Sequence, residues 1–323
     1  GGEILLKAWS KHSVELPNLI AIDDIDRLRK IAGKLNLDIE ISEYHEGTHP
    51  TQDAPRGLRV LHTPLAKPQI DGKLEKENAP TVIASVLKAV ELTKEGGASG
   101  IVTNPIQKSA LYDVGFKFPG HTEYLASLSG LNNVPAMMLA CDQLRVVPVT
   151  IHVSLQEALN TLTTENIIEQ AHITARALRT DFGISKPRLA VAGLNPHAGE
   201  NGTMGNEEST IITPAIEALR QSGLAVSGPH PPDTLFSAQN RKSYDVAICM
   251  YHDQALIPIK TLDFDGGVNS TLGLDFIRTS PDHGTALDIA GTGQASERSL
   301  VAAIRMADAM AKHRCKNNEL NNV

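Results

Sequence analysis

Apolar residues recur along this chain in two alternating rhythms. Short runs rich in Val, Ile and Ala are nearly continuous, while longer stretches carry apolar side chains three and four residues apart. The first pattern suits strands buried on both faces, the second suits helices with one apolar stripe. Their alternation is the signature of a mainly parallel sheet covered by helices. The clearest predicted helix runs from Ala79 to Glu95, with Val82, Ile83, Val86, Leu87 and Val90 along one face and Gly96-Gly97 as its stop. Another starts at Ser154, where Ser154-Leu155-Gln156-Glu157 reads as a capping box, and helical sequence continues to near Gly183. Strands are predicted over 99–103, 144–151, 188–194 and 245–250.

At 323 residues the chain exceeds one ordinary core, so two domains are expected. No long linker, repeat or low-complexity tract separates them, which points to a discontinuous division. A balance of 41% hydrophobic and 21% charged residues is that of a globular chain. No apolar run approaches the roughly 18 residues of a membrane span, and no leader-like segment opens the sequence. Cys141, Cys249 and Cys315 are few, odd in number and widely spaced, which argues against a disulfide scaffold and fits a reducing cytoplasm. The net charge of -7 lacks the basic surplus of a nucleic-acid binder.

A histidine stands at or just past the end of each of the last three predicted strands: His152, His197 and His252. Residues beyond the carboxyl ends of strands in open α/β sheets converge on one ligand site. Neutral imidazoles suit a divalent first-row metal, and three of them leave positions open for substrate. Asp253 and Asp233 are candidates to orient an imidazole or to complete the shell. A lone histidine at a strand end is commonly a satisfied loop residue; three equivalent ones favour a shared role.

Residues 119–124 form a turn into a helix ending near Gly130, and such an N-terminus receives anions; His121 and Thr122 add side-chain donors. Lys260, the Gly-rich loop Gly266-Gly267-Val268-Asn269 and Arg278 form a second anion-binding set. Neither a Rossmann fingerprint nor a P-loop occurs. Instead, residues 283–291 resemble the His-Gly-Ser/Thr-Ala-x-Asp-Ile-Ala-Gly loop of the isocitrate and isopropylmalate dehydrogenases, which holds the adenosine end of NAD. His283, Asp288, Ile289 and Gly291 are the cofactor-binding candidates. A carboxylate at Asp288 accepts from ribose hydroxyls and repels a 2′-phosphate, favouring NAD over NADP.

Together, Pro-Gly-His-Thr-Glu at 119–123, Gly-Leu-Asn-Pro-His-Ala-Gly-Glu at 193–200, Tyr-His-Asp-Gln at 251–254 and Ile-Arg-Thr-Ser-Pro-Asp-His-Gly-Thr-Ala at 277–286 resemble the signature blocks of the 4-hydroxythreonine-4-phosphate dehydrogenase family. That resemblance implies an isocitrate/isopropylmalate dehydrogenase-like α/β fold of two α/β/α domains with a cleft between them. The expected bounds are 1–120 with 285–323 for the first, and 121–284 for the second, carrying metal ligands and dimer interface. It further implies a homodimer with an active site shared across the interface, His152, His197 and His252 as ligands to a divalent metal (Zn, Mg, Co or Mn), and His121, Thr122, Lys260, Asn269 and Arg278 as substrate contacts. A strand and a Gly-Asp/Glu-Pro-Ala-Gly-Ile-Gly type of loop are expected ahead of Gly2-Glu3, and contacts from them are left unassigned.

The reaction so implied is NAD-dependent oxidation of 4-phosphooxy-L-threonine at C3, followed by decarboxylation, in vitamin B6 synthesis. Asp253, Asp233 and Lys260 are the candidate catalytic residues. Two other enzymes fit the same residues less fully: a 4-phospho-D-threonate or D-erythronate dehydrogenase, and a phosphate acetyltransferase. A non-enzymatic binding module has no use for three metal-type histidines.

Overall fold

The computed structural model describes residues 1–48, 57–113, 115–118, 120–130 and 135–321. It begins with α1 (Gly2–His12), β1 (Ile20–Asp23), α2 (Ile25–Lys34), β2 (Ile41–Glu43), β3 (Leu58–His62) and α3 (Ala79–Lys94). Next come β4 (Ile101–Val102), α4 (Lys108–Tyr112), α5 (His121–Ser129), β5 (Ala136–Cys141), β6 (Leu144–Pro148), α6 (Leu155–Thr161) and α7 (Thr164–Thr180). The remainder holds β7 (Arg188–Ala192), α8 (Thr213–Gln221), β8 (Ala225–His230), α9 (Pro232–Leu235), β9 (Val246–Cys249), α10 (His252–Leu262), β10 (Val268–Leu272), β11 (Arg278–Pro281) and α11 (Arg298–Asn321).

Two compact units result: Gly1–Leu131 with Asp275–Asp308, and Asn132–Leu274 with Ala309–Val323. The breaks differ from those expected after residues 120 and 284, and long-range packing explains the difference. Tyr124 of α5 stacks edge-on against Phe116, with ring centroids 5.1 Å apart, which ties α5 to the segment before it. Likewise β11 pairs in parallel with β4, Arg278 opposite Ile101, which draws residues 275–284 to the first unit.

In the first unit β1, β3 and β2 form a parallel sheet in that order. Leu6 and Trp9 of α1, Leu28 of α2 and Val60 of β3 share its core. Asp24 caps α2 by accepting from the Arg27 amide at 2.9 Å, as a helix start requires.

In the second unit six strands lie in the order β10-β5-β6-β9-β7-β8. The pairings of β10 with β5 and of β5 with β6 are antiparallel; the other three are parallel. Although β9 comes last in sequence of the three parallel central strands, it lies between β6 and β7. Val146, Val147, Leu189 to Ala192 and Val246 to Cys249 are all at most 1% exposed, the continuous burial that a covered parallel sheet imposes. Ser154 caps α6 through the Glu157 amide at 3.1 Å, and Thr163 caps α7 through the Asn166 amide at 3.1 Å. The helical sequence expected from Ser154 is thus two helices with a break at 162–163. At the far end of α7 the buried Asp181 accepts from Arg314 Nε at 2.6 Å.

Cys141, Cys249 and Cys315 are all free. Among the described residues no helix is long and apolar enough to cross a membrane.

Candidate active site and metal centre

The parallel strands β6, β9 and β7 are neighbours, so the segments leaving their carboxyl ends lie side by side. Beyond β6 the chain stays tied to its neighbour: Val149 N donates to Cys249 O at 2.8 Å, and Thr150 Oγ1 donates to Met250 O at 2.8 Å. This tether carries His152 to His252, the first residue of α10. The two rings lie with centroids 5.9 Å apart and planes tilted by 43°. They share a pocket with Thr150, Leu155, Tyr251 and Asp253. Asp253 Oδ1 is 2.7 Å from His252 Nδ1.

His197 follows the third strand, β7, in an unusual conformation. His197, Ala198, Gly199, Glu200 and Asn201 are consecutive residues with positive φ, between 40° and 78°. Four of them carry a side chain, and each such residue costs about 1–2 kcal/mol relative to the right-handed form. Strain of this size persists only where surrounding contacts over-determine it, and such sites cluster at functional centres. Among the described residues seven non-glycine positions have positive φ: Asn36, His152, His197, Ala198, Glu200, Asn201 and Ala286. Of these, His152, His197, Ala198, Glu200 and Ala286 lie in the segments singled out for metal or cofactor, and Asn201 directly follows one of them. The His197 ring is itself exposed, with Nδ1 3.8 Å from Glu200 Oε2.

The donor set fits a divalent ion in part. Two imidazoles on one ion, through metal–nitrogen bonds of about 2.0–2.1 Å, hold their ring centres about 5–6 Å apart, which matches His152 and His252. His197 is not drawn into the same group: among the described residues no cluster of three or more His, Cys, Asp or Glu side chains stands in metal-binding arrangement.

The anion-binding candidates divide between the units. In the first unit Arg278 is 4% exposed, and its Nε and Nη2 donate to Thr103 Oγ1 at 3.2 and 2.7 Å. Burial pulls its pKa down to about 10, against the opposing pull of Glu123, so the guanidinium stays charged at neutral pH. Glu123 lies in the first turn of α5, the helix headed by His121 and Thr122. Pro119, which opens the predicted turn, lies outside the described residues. In the second unit Asn269 sits on β10 with Oδ1 buried and without a hydrogen-bond partner among the described residues, as expected of a group that awaits a ligand. Lys260, on α10, holds its ammonium over the Phe264 ring at 5.4 Å. Asp233 is exposed in the first turn of α9, which packs against the His197 turn.

The cofactor-binding candidates form a surface loop in the first unit. His283 Nδ1 lies 2.9 Å from Gly284 O, and Asp288 is exposed on a short 3-10 turn that includes Ile289. Gly291 has φ +73°, a left-handed conformation that favours glycine, and a Cβ there would press on the ends of the Asp71 and Lys34 side chains. Its amide donates to Glu3 Oε2 at 3.0 Å.

Two polar residues to which the sequence assigned no role of their own hold the second unit's strand ends together. Gln254 is buried; its Oε1 accepts from Met250 N at 2.7 Å and its Nε2 donates to Gly193 O at 2.7 Å, bridging the ends of β9 and β7. Glu208, also buried, accepts from the amides of Leu194 and Asn195, each at 2.7 Å. The signal for Gln254 was its place in the run Tyr251-His252-Asp253-Gln254; nothing local marked Glu208.

The family model described as "Pyridoxal phosphate biosynthetic protein PdxA" matches residues 15–307. The 4-hydroxythreonine-4-phosphate dehydrogenase of Caulobacter vibrioides is 48% identical over 319 residues, covering 97% of this chain and 95% of that protein. A crystal structure of 4-hydroxythreonine-4-phosphate dehydrogenase from Klebsiella pneumoniae aligns with a TM-score of 0.87 at 38% identity, covering 96% of this chain and 95% of the other. A terephthalate 1,2-cis-dihydrodioldehydrogenase from Burkholderia xenovorans is more distant, with a TM-score of 0.65 at 26% identity, over 96% of this chain and 94% of that one. With similarity of this extent along nearly its whole length, the chain belongs to the pyridoxal phosphate biosynthetic protein PdxA family.

Proposed function

We propose that this protein catalyses the NAD-dependent, divalent-metal-dependent oxidation of 4-phosphooxy-L-threonine at C3 in pyridoxal phosphate synthesis. The product, 2-amino-3-oxo-4-phosphooxybutanoate, is a β-keto acid and loses CO₂ to give 3-amino-2-oxopropyl phosphate. The observation that carries this reading is the 48% identity to a 4-hydroxythreonine-4-phosphate dehydrogenase over 97% of the chain. The juxtaposition of His152 and His252 supports it independently. The enzyme works in the cytoplasm as a homodimer whose sites draw on both subunits.

His152, His197 and His252 hold the cation, and His283, Asp288, Ile289 and Gly291 hold NAD. When bound, the cation lowers the pKa of a coordinated hydroxyl and NAD⁺ accepts the hydride from C3. His121, Thr122, Lys260, Asn269 and Arg278 take the substrate's phosphate and carboxylate. Asp253 holds His252 by Nδ1 and so presents Nε2. Asp253, Asp233 and Lys260 are the side chains offered for transfer of the C3 hydroxyl proton, with Asp233 on the helix that packs against the His197 turn.

The test is direct assay of the purified protein with NAD⁺ and a divalent ion, following NADH by absorbance. Turnover of 4-phosphooxy-L-threonine well above that of 4-phospho-D-erythronate or D-threonate is expected. Equal or better turnover of the sugar acids would move the substrate assignment to them. Acetyl transfer to phosphate with no NADH formed would overturn the dehydrogenase reading.

A further inference from the structure

The exposed ring of His197 stands on a backbone turn that sets its direction. That turn runs in the unfavourable hand for five residues. A buried carboxylate underlies it. Glu208 is 6% exposed and opens a π-helical turn, Glu208–Ile212, a backbone feature frequent at functional sites. Its Oε1 accepts from Leu194 N and Asn195 N at 2.7 Å, and its Oε2 accepts from Asn195 Nδ2 at 3.0 Å. The chain is moulded closely onto this group. A Cβ on Gly199 would lie 2.6 Å from Oε2, and one on Gly193 would lie 3.2 Å from Oε1 and 2.9 Å from Ala198 Cα.

We propose that Glu208 is a positioning residue that fixes the left-handed turn His197–Asn201 and thereby sets His197 for a divalent cation. The proposal rests on the metal reading above. A carboxylate that binds two main-chain amides just before the turn and fills the space under Gly199 supplies the over-determination that strained backbone needs. Without it, four side-chain-bearing residues relax toward right-handed geometry and the imidazole leaves its place. Gln254, donating to Gly193 O, anchors the strand end from the other side but does not reach the turn itself.

Binding of Co²⁺ alone to the full chain tests this, read by calorimetry and by the visible absorption of the bound ion. His197→Ala is the control for the metal reading: if it binds Co²⁺ as the wild type does, that reading fails and the proposal with it. Given a weakened His197→Ala, Glu208→Ala is expected to lower Co²⁺ affinity about 10–100-fold, as removal of an outer support of a ligand does. Its visible spectrum should change as well. Glu208→Gln keeps an acceptor for the two amides and is expected to stay within a few-fold of wild type. A folded Glu208→Ala protein with wild-type affinity and spectrum would overturn the proposal, whatever its melting temperature. Should that variant not fold, Gly199→Ala pushes the turn off an intact carboxylate. It is expected to show the same loss, and wild-type affinity there would equally overturn the assignment.

Discussion

Asp253 Oδ1 lies 2.7 Å from Nδ1 of His252, its immediate neighbour in sequence. With Nδ1–H donated to the carboxylate, the ring is held in one orientation with its Nε2 lone pair turned outward, as the proposed ligand role requires. Asp253→Ala is therefore expected to lower affinity for a divalent ion about 10–100-fold with little change in melting temperature. Calorimetric titration with Co²⁺ checks it; an unchanged dissociation constant would end the orienting role.

Arg278 offers a planar fork from a dry site, which a lysine ammonium does not reproduce. Charge-assisted hydrogen bonds contribute about 1.5–3 kcal/mol, so Arg278→Lys should raise KM for the phosphorylated substrate about 10–100-fold while kcat moves less. Steady-state kinetics would show it, and an unaltered KM would remove Arg278 from the anion site.

On the proposed NAD reading Asp288 repels a 2′-phosphate, and its exposure screens that repulsion to roughly 1 kcal/mol. Asp288→Ser should narrow the preference for NAD over NADP about five-fold, measured as the ratio of kcat/KM for the two cofactors. A ratio that stays put would place the discrimination elsewhere.

Arg314 Nε and Nη2 reach the 2%-exposed Asp181 at 2.6 and 3.1 Å. Removing one member of a buried pair leaves the other charge uncompensated, at a cost of about 3–5 kcal/mol. Arg314→Ala should shift the urea midpoint of the second unit accordingly, and a wild-type midpoint would contradict the argument.

Asp245 shows a pH dependence of defined sign. Burial pushes its carboxyl up, but side-chain and backbone hydrogen bonds from Arg188 pull harder, leaving the pKa below the ordinary aspartate range. A carboxylate depressed in the folded state adds stability above its unfolded pKa and loses it as pH falls through the folded value. Asp245→Asn should hence be less stable than wild type near neutrality, with the gap closing in acid. Denaturant midpoints across that range test this, and a gap of constant size would be inconsistent with it.

The sequence made the three strand ends legible because an uninterrupted apolar run as short as Val246 to Cys249, bounded by polar residues, suits a strand covered on both faces. It made Ser154 legible as a helix start for an equally local reason, a hydroxyl placed to meet a free amide. What escaped was non-local. No pattern in Val246 to Cys249 says that β9 inserts between β6 and β7, nor that Arg278 lies opposite Ile101, the pairing that gathers residues 275–284 into the first unit. The His197 turn was hidden for another reason: Asn and His visit the left-handed region now and then, but Ala and Glu rarely do, and no local pattern marks a run of such residues. Glu208 itself precedes an apolar stretch, where a solvated helix face is the usual reading.

The insertion of β9 sets an order of assembly. Until residues 246–249 have been made, β6 and β7 share no hydrogen-bonded neighbour, because each pairs with β9 and neither pairs with the other. The segments that carry His152 and His197 are therefore joined through the sheet only by the strand that leads directly to His252.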